Sequence, residues 1–285
     1  MSGLWTRLAW GLGLCLGTAL ATAGYSQTAE EGAGLIVFSS NRSGPWRIWT
    51  VRPDGSELRQ LTQAGDDEHD VDPAFRADGR GILFSSTRGG TVGVWRMGLD
   101  GSKPERICDG DQADWSPDGR SIVFRRDESL FTRVLATGEE KRLTGDEWPH
   151  CSGPAWSPDG KTIAFACRWD AGNGLYLVAA EGGEPVKVYD RKGACEPRWS
   201  PDGTRLVYET ETNVAAVNPD GKKNRPVTWF GGIQRYPQWS PDGRWIVFCQ
   251  GPSERGPWEL YRTPSQGGTP TRITEGGSDM NPDWK

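Results

Sequence analysis

The chain has 285 residues, 35% of them hydrophobic and 25% charged, with a formal charge of −5. This is the composition of a soluble globular protein, long enough for one large all-β domain or two ordinary ones. The 39 Gly and 20 Pro fall in turn-like dipeptides along the chain, which argues for many short strands instead of disorder. Net acidity without a run of Lys and Arg argues against a nucleic-acid partner.

The first segment stands apart. A single positive charge at Arg7 is followed by the uncharged run "LAWGLGLCLGTALATA", and Ala21-Thr22-Ala23 has the small-x-small form of a signal-peptidase site. Residues 1–23 therefore read as a secretory signal, too short for an ordinary membrane span. Its removal takes away Arg7 and shifts the formal charge from −5 to −6. The expected mature protein is soluble and exported, periplasmic or beyond, with no stable transmembrane span and a short leader at 24–32.

Strands come next. "LIVF" 35–38 and "PWRIWTV" 45–51 precede the turn "PDGS" 53–56 and the strand "LRQLT" 58–62. From there a unit repeats, marked by Phe75, Trp115, Trp156, Trp199, Trp239 and Trp284 at intervals of 40, 41, 43, 40 and 45 residues. Each aromatic ends a strand and leads into Pro-Asp-Gly or a variant, a tight turn in which Pro presets φ and Gly accepts a positive φ. An apolar strand follows, such as "GILF" 81–84, "SIVF" 121–124, "TIAF" 162–165, "RLVY" 205–208 or "WIVF" 245–248. A third strand, a second Gly turn and a fourth strand complete the unit. Four short antiparallel strands, A to D, cannot bury both faces of their sheet alone. A ring of such sheets can, which predicts an all-β, six-bladed β-propeller over 33–285. The first repeat has B, C and D but no A, and the last has only A. Residues 279–285 are therefore expected to supply strand A to the N-terminal strands and close the ring.

These units, punctuated by "WSPDG" and ending in "LT", resemble the WD40-like (PD40) β-propeller repeat of the TolB-type and dipeptidyl-peptidase-type propellers across about 33–285. The resemblance implies a propeller. TolB-like proteins carry an N-terminal α/β domain before it and serve envelope integrity with outer-membrane partners; here about ten residues separate Ala23 from the first strand, so the resemblance covers the propeller alone. The peptidase relatives also need a hydrolase domain, for which this sequence offers no GxSxG and only two histidines, His69 and His150.

The residues entering strand A gather at one mouth of the channel. Asp72, Asp111, Trp148, His150, Glu196, Arg235, Tyr236, Asp279 and Asn281 are the candidates for binding a ligand or partner. Three readings stand: a solvated acidic funnel without a dedicated ligand, a docking mouth for a peptide or protein segment, or a calcium site using Asp70, Asp72 and Asp279. The leading function is an exported, non-catalytic interaction or scaffold module in envelope organisation or transport, without a cofactor. The alternative is a propeller lyase or glycoside-active enzyme using the funnel acids. Oligomeric state is not legible.

The aspartates of the A–B turns, Asp78, Asp118, Asp159, Asp202 and Asp242, are expected to accept backbone N–H bonds, and the six key aromatics to fill the gaps between blades. Eight further tryptophans, Trp229 among them, exceed that need, and some are expected in an exposed recognition patch. A disulfide between Cys151 and Cys195 is geometrically open, with Cys167 and Cys249 as buried thiols.

Overall fold

The computed structural model describes residues 34–169, 172–190 and 193–285, so the expected signal and leader lie outside the described residues. Along the chain run β1 (Ile36–Ser40), β2 (Arg47–Val51), β3 (Arg59–Gln60), β4 (Asp70–Phe75), β5 (Ile82–Ser86), β6 (Gly93–Met97), β7 (Glu105–Asp109) and β8 (Asp111–Trp115). Next come β9 (Ser121–Arg126), β10 (Ser129–Val134), β11 (Glu140–Arg142), β12 (Cys151–Trp156), β13 (Thr162–Trp169), β14 (Gly172–Ala179), β15 (Val186–Asp190) and β16 (Cys195–Trp199). The last are β17 (Leu206–Glu209), β18 (Val214–Val217), β19 (Arg225–Pro226), β20 (Ile233–Trp239), β21 (Trp245–Gly251), β22 (Glu259–Pro264), β23 (Thr271–Arg272) and β24 (Asp279–Trp284). They form six four-stranded antiparallel sheets. Blade 1 has the order β24-β1-β2-β3, and blades 2 to 6 take β4–β7, β8–β11, β12–β15, β16–β19 and β20–β23 in turn.

Each space between neighbouring blades holds its own apolar cluster. Val37 and Ile48 of blade 1 meet Phe75, Ile82 and Phe84 of blade 2, and Val207 and Val214 of blade 5 meet Trp239, Ile246 and Phe248 of blade 6. Strand B carries a fully buried aromatic in every blade: Phe38, Phe84, Phe124, Phe165, Tyr208 and Phe248. Of the strand A aromatics, Phe75, Trp115, Trp239 and Trp284 are buried, while Trp156 and Trp199 are partly so. Trp199 and Trp239 also donate their indole N–H to Ala155 O and Arg198 O on strand A of the preceding blade, both at 3.2 Å. These side chains thus join blades by apolar burial and a hydrogen bond together.

The repeated polar residues serve the turns. Ser116, Ser157, Ser200 and Ser240 donate to Oδ1 of Asp118, Asp159, Asp202 and Asp242, and that oxygen also accepts the N–H two residues beyond the aspartate. Asp78 accepts the Arg80 N–H in the same way. The "LT" ending has a similar cause: Thr62, Thr144, Thr228 and Thr274 accept the N–H of Ile48, Leu130, Val214 and Leu260 on strand C. Each supplies an acceptor that the short strand D leaves out.

Strand A departs from a regular ladder in every blade. Its register against strand B slips by one residue, as between Ser152↔Ala166 and Ala155↔Ala164 or between Arg235↔Cys249 and Gln238↔Val247. The residue three before the aromatic carries the bulge with a positive φ: Asp72 (52°), Gln112 (49°), Gly153 (59°), Glu196 (49°), Tyr236 (52°) and Asn281 (51°). The next residue is Pro in five of the six blades, at Pro73, Pro154, Pro197, Pro237 and Pro282. Proline has no N–H to offer a ladder, so a bulge is where a strand tolerates it.

Closure follows the expected splice. Strand β24 pairs with β1, from Ile36↔Trp284 to Ser40↔Asp279, and Leu35 and Lys285 exchange backbone hydrogen bonds beyond it. Trp284 enters the cluster between blades 6 and 1 beside Ile36, Val247 and Leu260. Asp283 reaches across to blade 2, where its Oδ2 accepts the Phe75 N–H at 2.6 Å. Truncating Trp284 to Ala is expected to cost about 3–5 kcal/mol, the usual range for a large buried aromatic. Urea denaturation of Trp284→Ala and of a chain lacking 279–285 checks this. An unchanged midpoint in both would contradict the closure's contribution.

Candidate functional site

The bulged segments converge on the axis. Asp72, Gln112, Glu196, Tyr236 and Asn281 line a central channel together with Asp114, Arg198, Gln238 and Asp283. The channel is narrow, about 50 Å³, enough for roughly three to five waters at about 10–15 Å³ each. Above blades 3 to 6 it widens into a mouth of about 690 Å³ bounded by Arg125, Glu128, His150, Glu196, Glu209, Arg235 and Tyr236. Blade 3 leaves room there because β9 and β10 are joined by two residues, Asp127 and Glu128, both with positive φ.

Five of the six bulges turn an N–H away from their own ladder to an acceptor on a neighbouring blade. Asp72 donates to Ser39 Oγ (3.2 Å), Gln112 to Ser85 Oγ (3.1 Å) and Tyr236 to Glu209 Oε1 (2.6 Å). Asn281 N–H turns to Cys249. The pattern changes in blade 4, because Arg125 replaces an acceptor with a donor; Gly153 N–H goes instead to Gln112 Oε1 at 3.0 Å. A second ring of side chains lies one residue before the aromatics. Asp114 accepts the Trp156 N–H at 2.7 Å, and Gln238 donates to Asp283 Oδ1 at 2.6 Å.

Most charged groups at the mouth hold one another. Asp111 takes a two-pronged bond from Arg125, at 2.7 Å on each oxygen. Arg235 donates to Thr210 O, Glu211 O and Glu254 Oε1, with Nε 3.6 Å from Glu209 Oε2. Glu196 lies 3.3 Å from Arg198 and over Gly153, where a Cβ would come within 2.8 Å of its Oε2. His150 and Glu128 form an exposed pair, Nδ1 to Oε2 at 2.6 Å. Burial pushes the Asp72 and Glu209 carboxyls up to about 7, reinforced in both by the nearby Glu196. Burial also raises Asp114 to about 6 and lifts the Tyr236 phenol well above its usual range.

Four expectations need correction. Trp148 does not face the mouth: it is buried between blades 3 and 4, edge-on to Phe165 and Tyr176. Asp70 and Asp279 are fully buried in separate blades and paired with Arg88 (2.6 Å) and Arg42 (2.5 Å) from the B–C loops, so neither points into the mouth beside Asp72. Among the described residues no three His, Cys, Asp or Glu side chains group at metal-binding distance. The disulfide is Cys151–Cys167, not Cys151–Cys195, because the register sets Cys151 opposite Cys167 with Cα atoms 4.3 Å apart. Cys195 instead faces Glu209, whose Oε2 is 3.3 Å from its sulfur. Glu128 and Glu209 were missed; Glu209 follows a strand B aromatic, the channel-facing position shared by Ser39, Ser85, Arg125 and Cys249.

The sequence matches the PD40 family, TolB beta propeller domain, over residues 29–147 and 115–285. It is 30% identical to a protein TolB homolog of Chlorobium luteolum over 46% of this chain and 31% of that one. It is 27% identical to the Tol-Pal system protein TolB of Francisella tularensis, over 59% of this chain and 41% of the relative. The chain thus spans less than half of either relative's length. A crystal structure of TolB from Acinetobacter baumannii superposes with a TM-score of 0.76 at 19% identity, covering 89% of this chain and 67% of that one.

The raised carboxyls carry a pH signature. A carboxyl near 7 in the fold and near 4.3 in the unfolded chain binds its proton more tightly when folded. Its stabilising effect is complete below about pH 4 and is lost as pH rises through about 7. Glu209→Gln keeps an acceptor for Tyr236 N–H and removes this titration. Between pH 5 and 7 its denaturation free energy should fall less steeply than that of the wild type, by up to about 1.4 kcal/mol per pH unit. Parallel profiles for the two proteins would contradict the assignment.

Proposed function

We propose, from the premise that this chain belongs to the PD40 TolB β-propeller family, that it is an exported, non-catalytic docking module working in the cell envelope. The partner is a peptide or protein segment, and it docks at the mouth where the A strands begin. The observation that carries this reading is the division of that mouth into a rigid floor and a free rim. The floor is Glu196, Glu209, Arg235 and Asp111, already tied to Arg198, Tyr236 N–H, backbone carbonyls and Arg125. The rim is the exposed His150–Glu128 pair, with the half-buried Tyr236 forming one wall.

A floor whose charges are satisfied costs little to dock against, because no group must be stripped of a partner. The channel beneath, at about 50 Å³, stops a ligand from passing deeper, so the mouth suits the tip of a chain or loop. Tyrosine at the centre of such a surface is a frequent energetic anchor. The relatives support the envelope setting through the name Tol-Pal system protein TolB, and the apolar run before Ala21-Thr22-Ala23 supports export.

Capture from envelope extract by immobilised wild-type protein, followed by affinity measurement on the captured component, tests the reading. Tyr236→Ala is expected to weaken binding by about 30-fold, the level of an interface hot spot. His150→Ala with Glu128→Ala removes exposed groups only and should weaken it without changing thermal stability. Undiminished binding by all three substitutions would place the contact elsewhere and defeat the proposal.

A further inference from the structure

Trp229 is an exposed tryptophan, at 59%. It follows β19, the outermost strand of blade 5, and stacks on the half-buried Phe230 with ring centroids 5.8 Å apart. Its ring lies over Gly267 in the C–D turn of blade 6, where a Cβ would come within 2.8 Å of it. Arg225 is anchored on the same turn, donating to Ser265 O at 2.8 Å and Gln266 Oε1 at 3.1 Å. Just before it stand Lys222 and Lys223, both exposed. Burial and the neighbouring Arg205 lower the Arg225 pKa, so cationic groups crowd here. Asp220, 3.5 Å from Lys222, offsets one of them. On a chain of net charge −5 this is a local reversal of sign beside an exposed tryptophan. None of Lys222, Lys223, Arg225, Trp229 or Phe230 lines the channel or its mouth.

We propose that this face, residues 222–230, is a peripheral contact for an anionic lipid bilayer. Trp229 and Phe230 enter the headgroup layer while Lys222 and Lys223 meet the lipid phosphates. The chemistry favours lipid over a protein partner on two grounds. The patch comprises a handful of residues, far below the 20–30 per side of a stable protein interface, whereas a bilayer needs only an aromatic anchor and a few cations. The freest cations are lysines, flexible point charges without the planar fork that selects a fixed carboxylate. Tryptophan is also enriched at the membrane–water boundary, where its amphipathic ring sits at the headgroup level. Docking there leaves the mouth open, so the contact is independent of the peptide-binding reading.

Cosedimentation of the mature chain with vesicles tests it, using phosphatidylglycerol–phosphatidylcholine mixtures against phosphatidylcholine alone. Wild type should partition measurably into the anionic vesicles and lose that partition at high salt. Lys222→Gln with Lys223→Gln should lower the partition coefficient about 25-fold, at about fivefold per basic side chain. Trp229→Ala should lower it about tenfold through lost apolar burial. The changed side chains are exposed, and unchanged circular dichroism and melting establish that the variants fold. Equal partition into both vesicle types, or variants that partition like wild type, overturns the proposal. Binding to soluble polyglutamate through these residues with none to vesicles overturns it as well and assigns the face to an acidic polymer.

Discussion

An N–H group turned off its own ladder is the constraint on which the centre of this propeller depends. Every strand A bulges, and the bulge residue is held at a φ near +50°, a conformation that costs a non-glycine residue about 1–2 kcal/mol. A bulge N–H left without an acceptor in a dry interior would add about 1–3 kcal/mol more. The fold meets the demand sideways: Ser39, Ser85, Gln112, Glu209 and Cys249 each accept from the bulge of the next blade. Hydrogen bonds therefore run around the axis as well as within the sheets. The same geometry turns the bulge side chains inward and makes a narrow polar channel instead of an open hole.

The proposed docking mouth sits where this pattern is broken. In the channel-facing position after the strand B aromatic, blades 1 and 2 carry serine, but blade 3 has Arg125, blade 4 Ala166 and blade 5 Glu209. Arg125 binds Asp111, Gly153 yields its side-chain space to Glu196, and Glu209 gathers Tyr236 N–H, Arg235 and the Cys195 thiol. Burial, reinforced by the nearby Glu196, lets Asp72 and Glu209 hold their protons to near neutral pH, which limits repulsion in this cluster. The short β9–β10 turn opens the rim above these same blades. Sequence variation at repeat-equivalent positions has thus built one asymmetric mouth on a nearly sixfold frame.

The frame was legible in the sequence because it recurs. A period near 41 residues, an aromatic before "SPDG" and an apolar strand after it are tied to one supersecondary unit, and the split first and last repeats gave the closing strand. The site was legible only in part. Glu196, Tyr236, Asp72 and Asn281 are legible because they precede the aromatics, and Pro two residues before the aromatic in five blades is the signal that names their conformation. Trp148 was misplaced because spacing from Trp156 says nothing about which face a connecting loop presents. Asp70 and Asp279 were misjudged because their partners, Arg88 and Arg42, come from the far end of strand B. The one-residue slip of the bulge also decided the disulfide, since it sets Cys151 opposite Cys167.

The measurement closest to the central claim is the stability of a chain with Ser39→Ala and Ser85→Ala. These changes remove two hydroxyls that accept bulge N–H groups and leave the backbone and apolar core as they are. If bonds between blades hold the bulged strands, urea denaturation should show a loss of about 1–3 kcal/mol for each unsatisfied N–H. A double variant within about 0.5 kcal/mol of wild type, the ordinary range for an inconsequential surface change, would contradict the account.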